Sequence, residues 1–106
     1  MAVAALFGTW VQDETGPVIT HRRRYHFKAD GSYELLFTSR HTGSLAERVL
    51  TREVGTFTVE GDQLVIAPES CTLKAVSWRV ERDRYVGNTQ LVMEGRDGGL
   101  DVYYPE

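Results

Sequence analysis

The sequence predicts an all-β protein, an antiparallel up-and-down β-barrel of about eight short strands with a short N-terminal helical turn. Gly- and Asp-containing turn signals recur at short, regular intervals along the chain. Between them apolar and polar residues alternate, most strictly at Tyr33, Leu35 and Phe37. No segment has a helical period for longer than one turn. Closing such a meander into a barrel removes the exposed edge strands, which favours a barrel over an open sheet.

The predicted elements follow one another with short connections. Residues 2–6 are too few for an independent helix and predict one helical or 3₁₀ turn. Asp30-Gly31 is the strongest hairpin signal, and Gly61-Asp62 is another. Gly55 and Gly87 are the expected positions of β-bulges. The eight strands are predicted at about residues 7–13, 18–28, 32–39, 47–60, 63–67, 71–80, 85–94 and 100–104.

Composition restricts the protein class. The 106 residues predict one domain, 1–106, and the net charge of −3 argues against nucleic-acid and anionic-membrane partners, both of which need a basic surface. The single cysteine, Cys71, excludes an intramolecular disulfide. There is no long apolar run, and the N-terminal segment lacks the charged and apolar regions of a signal peptide, so we expect a cytoplasmic protein. Ten arginines against two lysines favour a bacterial source with a GC-rich genome.

Three segments carry a resemblance to a known family: Gly8-Thr9-Trp10, the hairpin over residues 27–33, and residues 55–64. They resemble segments of small bacterial lipocalin-like (calycin) β-barrel domains. The resemblance implies that the N-terminal turn closes one end of the barrel, with Trp10 packed over that base. It also implies binding of a small apolar molecule. The chain is shorter than secreted lipocalins and has neither their disulfide pair nor their C-terminal helix, which argues against a deep, transport-type cavity.

Period-two alternation predicts which side chains face the lumen. One end of the predicted lumen is apolar and aromatic, whereas the other holds His21, Arg23, Glu53 and Lys74. On strand eight, the apolar side chains of Leu100, Val102 and Tyr104 are expected to point inward. An apolar pocket with a few convergent polar groups is typical of small-molecule sites. The predicted ligand-binding residues are His21, Arg23, Tyr25, Tyr33, Phe37, Glu53, Phe57 and Trp78.

Each of these signals also has a purely structural interpretation. Arg23 and Glu53 can pair with each other at the barrel rim instead of orienting a ligand, and the aromatic side chains can be plain core. The run Arg22-Arg23-Arg24 could bind phosphate, but alternation sends the first and third arginine outward, where pairing with acidic residues is the common outcome. His21 and His26 lie an odd number of positions apart on one strand. We therefore expect no metal site and no cofactor.

Three functions are consistent with this pattern. The leading one is a small-molecule binding protein that holds a hydrophobic or amphipathic ligand in the lumen. The alternative is a lipocalin-like cyclase of bacterial natural-product biosynthesis, for example of the [4+2] spirocyclase type, which folds a flexible substrate into a reactive conformation and needs no nucleophile or metal. The third is a structural or interaction module with a filled lumen. A homodimer is one way for so small a core to bury more surface.

Overall fold

A computed structural model describes residues 3–70, 72–82 and 87–106 of the chain. A 3₁₀ turn, Val3–Ala5, precedes eight strands. Cys71 and the predicted start of strand seven at residue 85 lie outside the described residues. The strands are β1 Gly8–Thr15, β2 Ile19–Phe27, β3 Ser32–His41, β4 Arg48–Glu60, β5 Gln63–Pro68, β6 Lys74–Arg82, β7 Thr89–Glu94 and β8 Leu100–Pro105.

These strands form one closed antiparallel barrel in sequence order, β1-β2-β3-β4-β5-β6-β7-β8, and β8 pairs back onto β1. The predicted fold class is therefore confirmed. Gly31 and Gly61, in two of the hairpin turns, have positive φ angles of 89° and 64°, which glycine adopts without strain. No helix among the described residues is long and apolar enough to cross a membrane.

The two ends of the barrel differ. We call one end the base: it carries the 3₁₀ turn together with the β2–β3 and β4–β5 turns. We call the other end the mouth: it carries the β1–β2, β3–β4, β5–β6 and β7–β8 connections. Because adjacent strands run in opposite directions, every second connection falls at the same end.

The base is closed by packed side chains. Leu6, directly after the 3₁₀ turn, is fully buried, and its carbonyl oxygen accepts a 2.8 Å hydrogen bond from the Trp10 indole nitrogen. Ring contacts then continue into the barrel, with centroids of Phe7 and Phe57 6.4 Å apart and those of Phe27 and Phe57 5.1 Å apart, both edge to face. The lower half of the lumen is therefore a solid aromatic core.

Closure between β1 and β8 is short. Only Trp10 with Pro105 and Val11 with Tyr104 are paired, although β1 remains paired to β2 as far as Thr15. Above these pairs, the Gln12 side-chain amide donates a 3.4 Å hydrogen bond to the Val102 carbonyl oxygen. The seam is thus tight near the base and loose toward the mouth.

The structure corrects the prediction for strand eight. Tyr103 is the buried residue, at 2% exposure, whereas Leu100 is 56% and Tyr104 42% exposed. Pairing of Tyr103 with Leu91 places it on the lumen face. Val102 and Tyr104 therefore lie on the outer face of the barrel, Leu100 lies exposed at the start of β8 beside the mouth, and Asp101 and Tyr103 face inward.

The bulge position also differs from the prediction. The register between β3 and β4 shifts because Phe37 pairs with Thr51 and Thr38 with Val49, which leaves Leu50 as the extra residue. Gly55 is instead a point of close approach between strands. A Cβ atom at this position would lie 2.1 Å from the Ala67 carbonyl oxygen, so only glycine fits.

Trp10→Ala is expected to lower the free energy of unfolding by about 3–5 kcal/mol, because it removes a large buried side chain and the hydrogen bond to Leu6. Trp10→Phe keeps an aromatic ring and should cost less. Urea denaturation followed by circular dichroism measures both. A Trp10→Ala variant as stable as the wild type would contradict the closed base.

Gly55→Ala should be destabilising by about 1–3 kcal/mol, the usual cost of overpacking, because β4 and β5 must move apart to admit the methyl group. The neighbouring exposed position provides the control, since Thr56→Ala adds no atom against β5. The same denaturation experiment compares the two variants. Equal stability of Gly55→Ala and the wild type would show that the close approach is absent in solution.

Candidate functional site

The inner face of β2 leads from the base to the mouth. Its lumen-facing residues are, in that order, Phe27, Tyr25, Arg23 and His21. Phe27 and Tyr25 are buried and their rings stack at 5.2 Å, whereas Arg23 is exposed and His21 half-buried. The lumen face of β2 therefore changes from buried aromatic side chains near the base to polar, more exposed side chains near the mouth.

A cavity of about 390 Å³ lies above the aromatic core and opens toward the mouth; we call it the central cavity. Its wall is largely apolar on the side of β5, β6 and β7, where Lys74 adds one cation, and it is polar near β2, β8 and the β7–β8 turn. The lining residues are Arg23, Tyr25, Ile66, Lys74, Val76, Met93, Gly95, Asp97, Gly99, Leu100, Asp101 and Tyr103.

A second cavity, of about 250 Å³, lies beside the loose part of the seam; we call it the mouth cavity. Arg23 and Asp101 contribute to the walls of both cavities. Extending the β1–β8 register by three further pairs would set Glu14 opposite Asp101. Like charges directly opposite are unfavourable, which is a physical reason for the ladder to stop below them. The mouth cavity is lined by Gln12, Glu14, His21, Arg23, Phe37 and Asp101.

Phe37 on β3 supports two of the polar side chains of the mouth. The His21 ring stacks on it with centroids 5.5 Å apart and planes at 11°. The Arg23 guanidinium carbon lies 6.0 Å from its centroid, at the limit of a cation–π contact. Among the described residues, no carboxylate oxygen lies within 4.0 Å of the Arg23 guanidinium. Its guanidinium therefore lies beside an aromatic face, exposed to solvent, rather than against an acid.

The other two arginines of the run are paired on the outside. Arg22 makes a two-pronged ion pair with Asp13, its cross-strand neighbour, at 2.7 and 3.0 Å. Arg24 binds the Glu106 carboxylate at 2.6 Å. The hydrogen bond from Arg22 lowers the pKa of Asp13. These contacts match the structural interpretation of the run and leave Arg23 as its one member in the lumen.

Glu53 is engaged by a tyrosine rather than by Arg23. The Tyr33 hydroxyl donates a 2.8 Å hydrogen bond to Glu53 Oε2 in a partly buried position. The expected Arg23–Glu53 pair is therefore not formed. Glu53 nevertheless contributes to the lumen electrostatics, because its charge helps to raise the pKa of Tyr25.

Two buried tyrosines meet at the floor of the central cavity. The rings of Tyr25 and Tyr103 pack edge to face at 5.4 Å, and the side chains are 8% and 2% exposed. Burial raises the pKa of both phenols. The Arg23 guanidinium acts in the opposite direction and favours a lower pKa for Tyr103.

The structure distributes the eight predicted site residues over the two cavities, the packed core and the separate position of Glu53. His21, Arg23 and Phe37 line the mouth cavity, and Arg23 and Tyr25 line the central cavity. Glu53 accepts the hydrogen bond from the Tyr33 hydroxyl and lines neither cavity. Tyr33, Phe57 and Trp78 belong to the packed core.

Sequence reasoning missed several wall residues. Asp101 and Tyr103 were overlooked because the apolar alternation of β8 favoured the opposite face. Gln12 and Glu14 share the lumen face of β1 with Trp10 and could have been found by extending its alternation. Ile66 and Met93 are apolar residues of short strands, for which a role in a cavity wall cannot be distinguished from a role in the core.

The histidines do not converge. His21 lines the mouth cavity, whereas His26 is exposed on the outer face of β2 and His41 is exposed at the end of β3. Within residues 3–70, 72–82 and 87–106, no group of three or more His, Cys, Asp or Glu side chains is arranged to hold a metal ion. What the lumen offers chemically is hydrogen-bond donors and charged side chains of both signs, among them Arg23, Lys74 and Asp101, beside an apolar wall.

We expect the fold to lose stability above about pH 10, where tyrosine ionises in the unfolded chain. The folded-state pKa values of Tyr25 and Tyr103 are raised by burial, so the stabilising difference is fully present below that pH and is lost as the pH rises. Ultraviolet tyrosinate absorbance and circular dichroism, recorded together during an alkaline titration, measure it.

Variants identify the tyrosine responsible. Tyr25→Phe should move alkaline unfolding to higher pH, whereas Tyr104→Phe, on the outer face, should leave it unchanged. Equal midpoints for Tyr25→Phe and the wild type would be inconsistent with a buried, un-ionised Tyr25.

Comparison of the chain with protein-family models, with curated proteins and with solved structures finds no match in any of the three. The closed eight-stranded barrel is compatible with a lipocalin-like fold. Membership of the calycin families stays a prediction from the resembling segments.

Proposed function

We propose that this protein is a lipocalin-like small-molecule binding protein that holds a hydrophobic or amphipathic ligand in the upper half of its barrel. The observation that carries the proposal is the central cavity. At about 390 Å³ it lies within the range of known ligand pockets, roughly 300–1,000 Å³. The ligand sits above the aromatic core and does not extend to the base.

The two sides of the cavity support an amphipathic ligand. Ile66, Val76 and Met93 form an apolar wall contributed by β5, β6 and β7. Arg23 and Tyr25 stand on the β2 side. An apolar wall favours burial of a hydrocarbon portion, whereas a few convergent polar groups fix the orientation of the ligand.

The rim of the mouth supports entry of the ligand from this end of the barrel. Among the residues that the structure describes, exposed large aliphatic side chains gather at this end, where all four connections or the strand ends beside them contribute one. They are Val18, Leu45, Val49, Leu50, Leu73 and Leu100. A ligand with an apolar portion would meet an apolar rim before reaching the polar groups inside.

The open cavities weigh against the third interpretation, a structural module with a filled lumen. Such a module would continue the close packing of the base to the mouth. Instead, the wall at the level of Arg23 and Asp101 borders two separate cavities. We therefore favour a binding role over a purely structural one.

Native mass spectrometry of the protein purified from its own host tests the proposal. We expect one small molecule retained per chain, with a mass that identifies its class. Val76→Trp, which fills the cavity from β6, should abolish retention. Ala75→Trp, on the exposed face of the same strand, is the matched control and should retain the molecule.

A ligand-free spectrum of the wild type would contradict a carrier that keeps its ligand. Retention by the Val76→Trp variant would place the molecule outside the central cavity. The cyclase alternative is expected to release its product after turnover. It would therefore give a ligand-free spectrum of the wild type.

A further inference from the structure

Tyr25 has an unusual combination of burial and lack of a partner. Its side chain is more than nine-tenths buried, yet its hydroxyl forms no hydrogen bond with any described residue. Within the described part of the chain, no fully enclosed side-chain polar atom is left without a partner. The hydroxyl therefore opens onto the central cavity, whose wall includes Tyr25. A buried ring with an unpaired hydroxyl aimed into a cavity is a ready hydrogen-bond donor.

Arg23 lies two residues before Tyr25 on the same face of β2, nearer the mouth, and provides a positive charge. It lines the same cavity, and no described carboxylate lies within 4.0 Å of its guanidinium. Tyr103, 2% exposed, packs edge to face against Tyr25 from the opposite side of the seam and lines the same cavity as Arg23. Three groups that can donate hydrogen bonds thus converge on one region of the wall.

The acidic side chains nearby are partly occupied. Glu53 accepts the Tyr33 hydroxyl at 2.8 Å, and Asp97 accepts the Gly99 backbone N–H at 2.9 Å within the β7–β8 turn. Asp101 is the remaining carboxylate in the wall of the central cavity, and it opposes an anion there. Its removal should therefore strengthen anion binding, which gives the inference a second, opposite test.

We infer that Arg23, Tyr25 and Tyr103 form a subsite for an anionic oxygen of the ligand, such as that of a carboxylate, an enolate or a sulfonate. The apolar part of the ligand then lies against Ile66, Val76 and Met93. This inference rests on the proposed function and adds the ligand class, an amphipathic organic acid. A guanidinium with a neighbouring phenol hydroxyl suits such an oxygen, because both donate and the guanidinium is always charged.

Two fluorescent probes of similar shape separate the charge from the apolar contact. 8-Anilinonaphthalene-1-sulfonate carries an anionic sulfonate, and N-phenyl-1-naphthylamine lacks it. For the wild type we expect binding of both, with the sulfonate probe preferred. Arg23→Gln should weaken the affinity for the sulfonate probe by about tenfold, and Tyr25→Phe should weaken it by about fivefold. In both variants the affinity for the neutral probe should change by less than about twofold.

Matched controls use the same substitutions on the outer face. Arg22→Gln and Tyr104→Phe should leave both probes unaffected, since these side chains point away from the lumen. Asp101→Asn should increase the affinity for the sulfonate probe without changing the affinity for the neutral probe. Val76→Trp should abolish binding of both probes, a result that would locate them in the central cavity. Thermal melts verify that each variant is folded.

The outcomes separate this inference from the proposed function. If the wild type binds the neutral probe but Arg23→Gln does not change the preference for the sulfonate, the anion subsite is refuted and the cavity stands. If the wild type binds neither probe, or if Val76→Trp still binds both, the central cavity is not a ligand site and both proposals fail.

Discussion

Closure of the sheet between β1 and β8 is the constraint on which the rest of the structure depends. Once eight strands form a ring, the lumen has a fixed width, and every second residue of every strand must either fill it or line it. Only two residue pairs close the ladder, yet they join the strand that carries Trp10 to the strand that carries Tyr103. The ring, the base and the cavity wall therefore meet at this seam.

The lumen is filled at the base and open toward the mouth. At the base, large aromatic side chains fill the available width, and burial of each contributes roughly 1.5–3 kcal/mol. Toward the mouth, the inward positions hold His21, Arg23 and Asp101, which cannot be packed dry without large desolvation costs. Space therefore remains where the charges begin. The boundary that limits the hydrophobic core therefore also sets the floor of the central cavity.

The arginine run shows how this boundary acts on neighbouring residues of identical chemistry. Arg22 and Arg24 project outward and bind Asp13 and Glu106, contacts of the kind that contribute little to stability. Arg23 points inward, where its contact is the face of Phe37. Because Arg23 is exposed at the open end of the lumen, its charge remains accessible to solvent without an acidic partner and is free to meet the ligand proposed above.

Much of this arrangement was predictable from local sequence. The all-β fold, the strand positions and the inward faces of β2 and β3 follow from short-range patterns, because hairpin turns and period-two alternation act within one strand or between sequence neighbours. The polar and apolar ends of the lumen, with Arg23 at one end and Phe57 at the other, follow from the same alternation. Tertiary structure alone decided the face of β8, the bulge at Leu50 and the partner of Glu53. These depend on register across strands and on closure of the ring, where residues distant in sequence, such as Tyr25 and Tyr103, are brought into contact.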